Sequence, residues 1–266
     1  MEKYLHIIGI GIQRTLVYRV NFFARSLFGL IPLTATILLW QTIYRDRIGD
    51  VAGYTLRQMI SYYLIATIVD ALTAVAEDDW QIAADIRDGN ISQFLVKPID
   101  YLAYRFSLYS AGRLIYTAVA SVPIAIFIFC LRDYFVLPKD AAACVGFALS
   151  VAMAGLLQFL ISYTMALLSF WVLEVATFIF ILFAFEYLAS GHLFPLDILP
   201  PVVAQALHFT PFPYLLYFPV SVYLGQATGT ALWQGLAIQA TWVLAAYALA
   251  RFVWSRGIRK YAAFGG

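Results

Sequence analysis

The chain has 266 residues, of which 63% are hydrophobic and 12% charged, and its mean hydropathy is +0.81. Soluble globular chains are nearer half apolar and a quarter charged, so this composition excludes a soluble enzyme or binding domain and places the chain in a bilayer. A net charge of +2 gives no reason to expect nucleic acid, and two cysteines supply neither a disulfide framework nor a metal cluster.

The first 20 residues read as an amphipathic helix. Leu5, Ile8, Ile12 and Leu16 share a face at about 100° per residue, with Lys3 and Arg14 opposite. Such a helix lies flat in the membrane interface. Arg19 falls on the apolar side, and a frayed polar lead-in is the alternative. The first long apolar run begins too late, and runs too long, for a cleavable signal. A span needs about 20 mostly apolar residues. Six segments meet or approach this, at 26–44, 58–76, 107–131, 143–169, 172–189 and 231–250, and no internal repeat relates them. If all six cross, the regions 1–25, 77–105 and 251–266 share one side and carry 11 lysines and arginines, against 5 on the other. The latter are Arg45, Arg47, Arg57, Arg132 and Lys139. Both termini and the 77–105 loop are then cytoplasmic.

That loop contains DIRDGNISQFLVKP (85–98), a soluble-looking stretch between two greasy ones. Glu77, Asp78 and Asp79 suit a helix N-terminus, where the dipole favours anions, and Gly89 suits its end. Trp80, Ala83, Ala84 and Arg87 fall on one side of that helix, with Ile82, Asp85 and Ile86 on another. Ile91, Phe94, Leu95 and Val96 follow before Lys97 and Pro98. About ten residues make a marginal helix without a surface to dock on. That surface is either lipid headgroups or another protein.

The stretch 191–224 is apolar, yet it holds six of the ten prolines: Pro195, Pro200, Pro201, Pro211, Pro213 and Pro219. A continuous span is excluded by so many helix breakers. Pro201 suits the first turn of a short helix over 201–209, and a second can start near Pro213. Broken helices at membrane depth need protein or a cavity to satisfy their backbone. The segment therefore reads as two short helices dipping into the outer leaflet. If one of them crossed instead, the basic tail would lie outside.

Charges within spans are costly and usually pair inside the bundle. Asp70 and Arg113 sit at similar depth on consecutive spans, which suggests an intramembrane brace; a polar point on a substrate path and a snorkelling Arg113 are the alternatives. Glu174 marks the cytoplasmic start of the fifth span, and Glu186 is placed to accept N–H groups freed by the broken segment, or else to face water. Gln158 reads as an interhelical hydrogen bond. His192, His208 and Asp197 lack tight metal-ligand spacing, so no metal is expected. Cys130 and Cys144 read as inert thiols, and no Ser/His/Asp or Cys/His pattern suggests hydrolysis. Without a GxxxxGK[ST] loop the chain is not expected to bind ATP itself.

An interfacial N-terminal helix, six spans, a polar helix between the second and third, and a proline-rich segment before the last resemble an ABC-2 type transporter permease of type V architecture. The run IRDGNISQFLVKPID (86–100) is similar to that family's coupling stretch. The order Ser190-Gly191, Phe194-Pro195, Leu199-Pro200 and Pro211 is similar to its signature before the final span. The resemblance covers nearly the whole chain and implies an all-α integral membrane fold. That fold is one transmembrane domain, 1–266, of six transmembrane helices, with an interfacial helix at 1–25, a cytoplasmic coupling region at 77–105 and an outer re-entrant hairpin at 191–224.

It further implies a bacterial inner-membrane exporter subunit, paired with an identical or paralogous permease and driven by separate ABC ATPase subunits that hold ATP and magnesium. Trp80, Ile82, Ala83, Ile86, Arg87, Ile91, Phe94 and Leu95 would contact the ATPase. Spans two and five would line a central path, with Tyr62, Asp70, Phe178 and Phe185 on it. Glu186, Pro195, Pro200 and Pro211 would form an external gate. Such aromatic walls suit a drug, a lipid or glycolipid, or a lipid-linked glycan. The rival readings are a membrane-embedded acyl or glycosyl transferase, which needs convergent His, Asp or Glu at one face, and a secondary transporter, which predicts two similarly broken halves.

Overall fold

The computed structural model describes residues 2–45, 49–75, 78–172 and 174–264. Arg47 and Glu77, invoked above for charge bias and helix capping, lie outside them, as do the side chains of Asp78 and Asp79. In chain order the helices are α1 (Glu2–Leu16), α2 (Arg19–Arg45), α3 (Leu56–Thr73), α4 (Asp78–Arg87), α5 (Ser92–Leu95), α6 (Tyr101–Cys130), α7 (Ala141–Ala166), α8 (Ala176–Ala189), α9 (Pro201–His208), α10 (Tyr217–Tyr223) and α11 (Gly229–Phe264). Among the described residues there is no strand, only an isolated bridge between Val51 and Tyr54.

Among the described residues four helices are long and apolar enough to cross a membrane: α2, α6, α7 with its 3-10 extension Leu167–Phe170, and α11. Helix α3 spans 18 residues, is not among these four, and is largely enclosed by its neighbours. Met59 to Ala66 form an unbroken buried run, and Val69, Ala71 and Thr73 are buried too. Neighbouring helices α2, α6, α7 and α10 surround it. A helix whose middle is enclosed can carry Tyr62 and Tyr63 there, where a lipid-facing one cannot. Helix α8 has 14 residues, or about 21 Å at 1.5 Å per residue, against a hydrocarbon core of about 30 Å.

The helix ends follow local chemistry. Thr55 and Gln58 form a capping box on α3. Asp100 and Asp140 accept the Ala103 and Ala143 N–H groups, at 2.9 and 2.7 Å, and so cap α6 and α7. Pro201 occupies the first turn of α9. Helix α1 lies along α6, with Gly11 against Ala111 and Leu108. Leu5 and Leu16 stay exposed, so the apolar stripe is divided between α6 and the surroundings.

Two buried clusters matter most. One gathers Ile82, Ile86 and Ile91 from the 77–105 loop with Tyr101, Phe159, Tyr163, Phe170 and Ala250. The other packs Trp40, Tyr54, Tyr62 and Tyr63 against Leu216 and Val220 of the broken segment. Between α7 and α11 a polar brace forms at buried Gln239. Ser150 Oγ donates to its Oε1 at 2.9 Å, and its Nε2 lies 2.9 Å from the carbonyls of Ser150 and Tyr214.

Candidate functional site

Helix α4 ends where Gly89 adopts φ +79, a conformation that costs glycine little. The Gly89 carbonyl accepts from Ser92 Oγ at 2.7 Å and from Tyr261 Oη at 2.9 Å, which ties the turn to the far end of α11. The inner face of the segment is sealed. Ile82 and Ile91 are fully buried and Ile86 nearly so, and Phe94 is half-buried with its ring against Tyr101 and Tyr104. Three residues expected to meet a partner, Ile82, Ile86 and Ile91, are therefore committed to the chain's own core. Trp80, at 52% exposed, together with Arg87 and Leu95, faces outward. Val96, 85% exposed, joins them. Ala83 is intermediate and lines a cleft of about 280 Å³ with Trp80, Arg87, Ser169 and Glu174. That cleft separates α4 from the start of α8.

A buried ion pair anchors the inner face. Arg105 of α6, 3% exposed, pairs with Asp85 of α4. Its Nε donates to Tyr101 Oη at 2.9 Å and its Nη1 to Gln81 Oε1 at 3.2 Å. Tyr101 Oη in turn donates to Asp85 at 2.9 Å, and the Tyr101 ring stacks on Trp254 at 5.0 Å. Helix α4 is thus locked to α6 and, through Tyr101, to α11. The Asp85–Arg105 pair is not readable from sequence, since the two are 20 positions apart across a loop.

A second anchor joins the loop end to α11, where Arg251 pairs with Asp100. Burial disfavours the Asp100 charge, but the Arg251 guanidinium and the Ala103 N–H outweigh it and hold the carboxyl below its ordinary range.

The deeper polar groups do not pair as expected. His192 Nε2 lies 2.8 Å from Asp70 Oδ1, and Ser190 Oγ lies 2.6 Å from His192 Nδ1. The expected partner of Asp70, Arg113, lines the same cavity of about 220 Å³ with Arg25, Ser26 and Thr67, and its guanidinium sits 4.7 Å from the Tyr116 ring. A polar tie therefore runs from α3 to the broken segment. This Ser190–His192–Asp70 line went unseen in sequence because Asp70 is 122 positions from His192. Ser190 is fully buried, so its hydroxyl has no open approach for a substrate, and the line acts as a tether.

The helix break after α8 is satisfied by tyrosines. Gly191, at φ +91, lets its carbonyl accept from Tyr62 Oη at 2.7 Å, and the Leu193 carbonyl accepts from Tyr63 Oη at 2.8 Å. The Ser190 carbonyl accepts the Tyr217 N–H at 2.9 Å. Tyr62 is thus enclosed and holds the break, and does not line an open path. Glu186, 7% exposed, does not fill the capping role expected of it: its Oε2 has no hydrogen-bond partner. Phe178 and Phe185 of α8 are half exposed, and Phe185 meets Phe212 edge-on at 5.2 Å.

Pro195, Pro200 and Pro211 stand immediately before the 3-10 turn Leu196–Ile198, α9 and the 3-10 turn Phe212–Tyr214. Asp197 accepts from Tyr54 and Tyr217 hydroxyls, each at 2.7 Å, and lines a hollow of about 570 Å³ with His208, Gln226 and Gln234. His192 turns toward Asp70 instead, so the histidines and Asp197 do not converge.

A family model described as "ABC-2 family transporter protein" matches residues 30–265. The search of characterised proteins returned no match.

Proposed function

Because this chain belongs to the ABC-2 family of transporter proteins, we propose that it is the membrane subunit of an ABC exporter of type V architecture. It works with a second permease copy or paralogue, and a separate cytoplasmic ABC ATPase drives it. The observation that carries this reading is the two-faced 77–105 segment. Its inner side is fixed to α6, α7 and α11 by Ile82, Ile86, Ile91 and the Asp85–Arg105 pair. Its outer side offers Trp80, Arg87, Leu95 and Val96 to a partner. A force applied to that edge passes into the long helices through a buried ion pair, without bending a flexible loop. The cleft beside Trp80 and Arg87 abuts the first turn of α8, so docking there bears directly on that short helix.

On this reading six helices cross the inner membrane: α2, α3, α6, α7, α8 and α11. Both termini are cytoplasmic, and α8 is completed by the proline-broken segment. The exposed aromatic side chains of α8, with Phe178 and Phe185 on one side and Phe180 on the other, support a meeting of two subunits around a path for hydrophobic or amphipathic substrates, whether drug, lipid or lipid-linked glycan.

The test is co-purification with the ABC ATPase subunit, followed by ATP-driven transport in vesicles. Trp80→Glu and Leu95→Glu are expected to weaken ATPase association roughly 30-fold each, the worth of a buried anchor of about 2 kcal/mol. Both variants should leave the permease monodisperse. Normal association and transport in both would refute docking at this edge.

A further inference from the structure

A cavity of about 210 Å³ lies between α3, α7, α8 and the broken segment, walled in part by Asp70, Gln158, Phe183, Glu186, Tyr187 and His192. Two carboxylates and one imidazole meet here. The imidazole is engaged by Asp70 at 2.8 Å and by Ser190 at 2.6 Å. Glu186 is left with an amide neighbour, Gln158, and with an unpartnered buried oxygen, Oε2, in the cavity wall. Arg25 and Arg113 face the other side of Asp70, in the adjoining cavity, and no lysine or arginine lines this one. A carboxylate isolated from water costs several kcal/mol unless a counter-charge reaches it. Beyond Gln158 and the His192 imidazole, a proton on Glu186 or a cation beside it would remove that cost. Among the described residues no cluster suited to holding a metal ion forms. Phe183 and Tyr187 add aromatic rings to the wall, and such rings attract organic ammonium groups.

We propose that this cavity is a subsite for a singly charged alkylammonium head, held by Glu186 with Asp70 beside it and the rings of Phe183 and Tyr187 against it. The inference rests on the permease reading and narrows its substrate class to amphipathic cations. In the empty site a proton on Glu186 would neutralise the carboxylate. The entering cation displaces it: the carboxylic O–H breaks, the proton leaves to water, and the carboxylate faces the ammonium. Binding to the protonated site therefore releases that proton and tightens as pH rises. Asp70, His192 and Tyr187 are the other titratable groups facing Glu186 here, and Gln158 of α7 contributes only its amide.

The test uses the full chain in neutral-lipid nanodiscs, titrated calorimetrically with dodecyltrimethylammonium and, separately, with dodecyl sulfate, in buffers of differing ionisation enthalpy. The expected result is at least tenfold tighter binding of the ammonium, with about one proton released. Glu186→Gln should reduce ammonium affinity at least tenfold and abolish proton release, and Glu186→Asp should restore part of both. If Glu186→Gln does not fold, Phe183→Leu should still weaken ammonium binding several-fold. Equal binding of both detergents, unchanged affinity in Glu186→Gln, or pH titration of the site without ammonium binding would overturn the proposal. Wild-type chain that binds no ammonium yet associates with its ATPase would sink the subsite alone. Failure of any ABC ATPase to associate would sink the permease reading instead.

Discussion

Arg105 is a charge that the fold cannot lose cheaply. It is 3% exposed and held by Asp85, Tyr101 and Gln81. Removing one partner of a buried pair leaves the other uncompensated, at about 3–5 kcal/mol. Arg105→Met is expected to destabilise the chain by about 3 kcal/mol, near the lower limit because Asp85 keeps 19% exposure. Thermal unfolding in detergent would measure it. Arg105→Met with Asp85→Leu should recover much of the loss in stability but not the transport, because an apolar pair cannot hold α4 in the same register.

The Asp100–Arg251 pair is weaker, both side chains being about 40% exposed, and should contribute no more than about 1 kcal/mol. Its pH sign is fixed by the depressed Asp100 carboxyl. The contribution is complete above the unfolded value of about 3.9 and disappears as pH falls through the lower folded value. Asp100→Asn should therefore flatten stability against pH only in strongly acid solution, and leave the profile above about pH 5 unchanged.

At the scale of elements, close helix approach sets what α11 tolerates. A Cβ built at Gly235 would lie 2.1 Å from Phe218 Cε2, and one at Gly257 2.1 Å from Phe170 Cδ2. Both rings are buried and belong to packed clusters, so neither can swing away freely. Gly235→Ala and Gly257→Ala should each cost about 1–3 kcal/mol through overpacking. Equal melting temperatures for either variant and wild type would contradict this. The short helices obey another logic. Helix α10 and the turn at Phe212–Tyr214 bury apolar side chains while side chains of α3 and α11 supply partners to the broken backbone. Proline placement showed where the breaks fall. It did not show that Tyr62, Tyr63 and Gln239 would satisfy them.

For the whole molecule, the distribution of polarity argues for a bundle with one enclosed helix. Helix α3 carries two tyrosines in its middle because its neighbours, not lipid, surround them, and its acid, Asp70, sits in the last turn against His192. Topology can be checked with impermeant thiol reagents in a background lacking Cys130 and Cys144, both of which are exposed free thiols. Val96→Cys is expected to label from the cytoplasmic face and Thr228→Cys from the outer face. Labelling of both from one side would refute the six-span arrangement.

The sequence by itself determined that the chain lives in a membrane, where its long helices run, which segment is polar between two spans and where proline breaks the chain. These are local properties of hydropathy, capping and φ restriction, each read within a few neighbouring residues. Only the tertiary structure decided which face of the 77–105 segment is free. A helix face is polar or apolar in sequence, but its partners, from Arg105 to Tyr261, lie on helices 20 to 172 positions away. The same holds for Asp70, whose carboxylate meets His192 across 122 residues. Electrostatic pairing depends on distance in space, which the chain order does not encode.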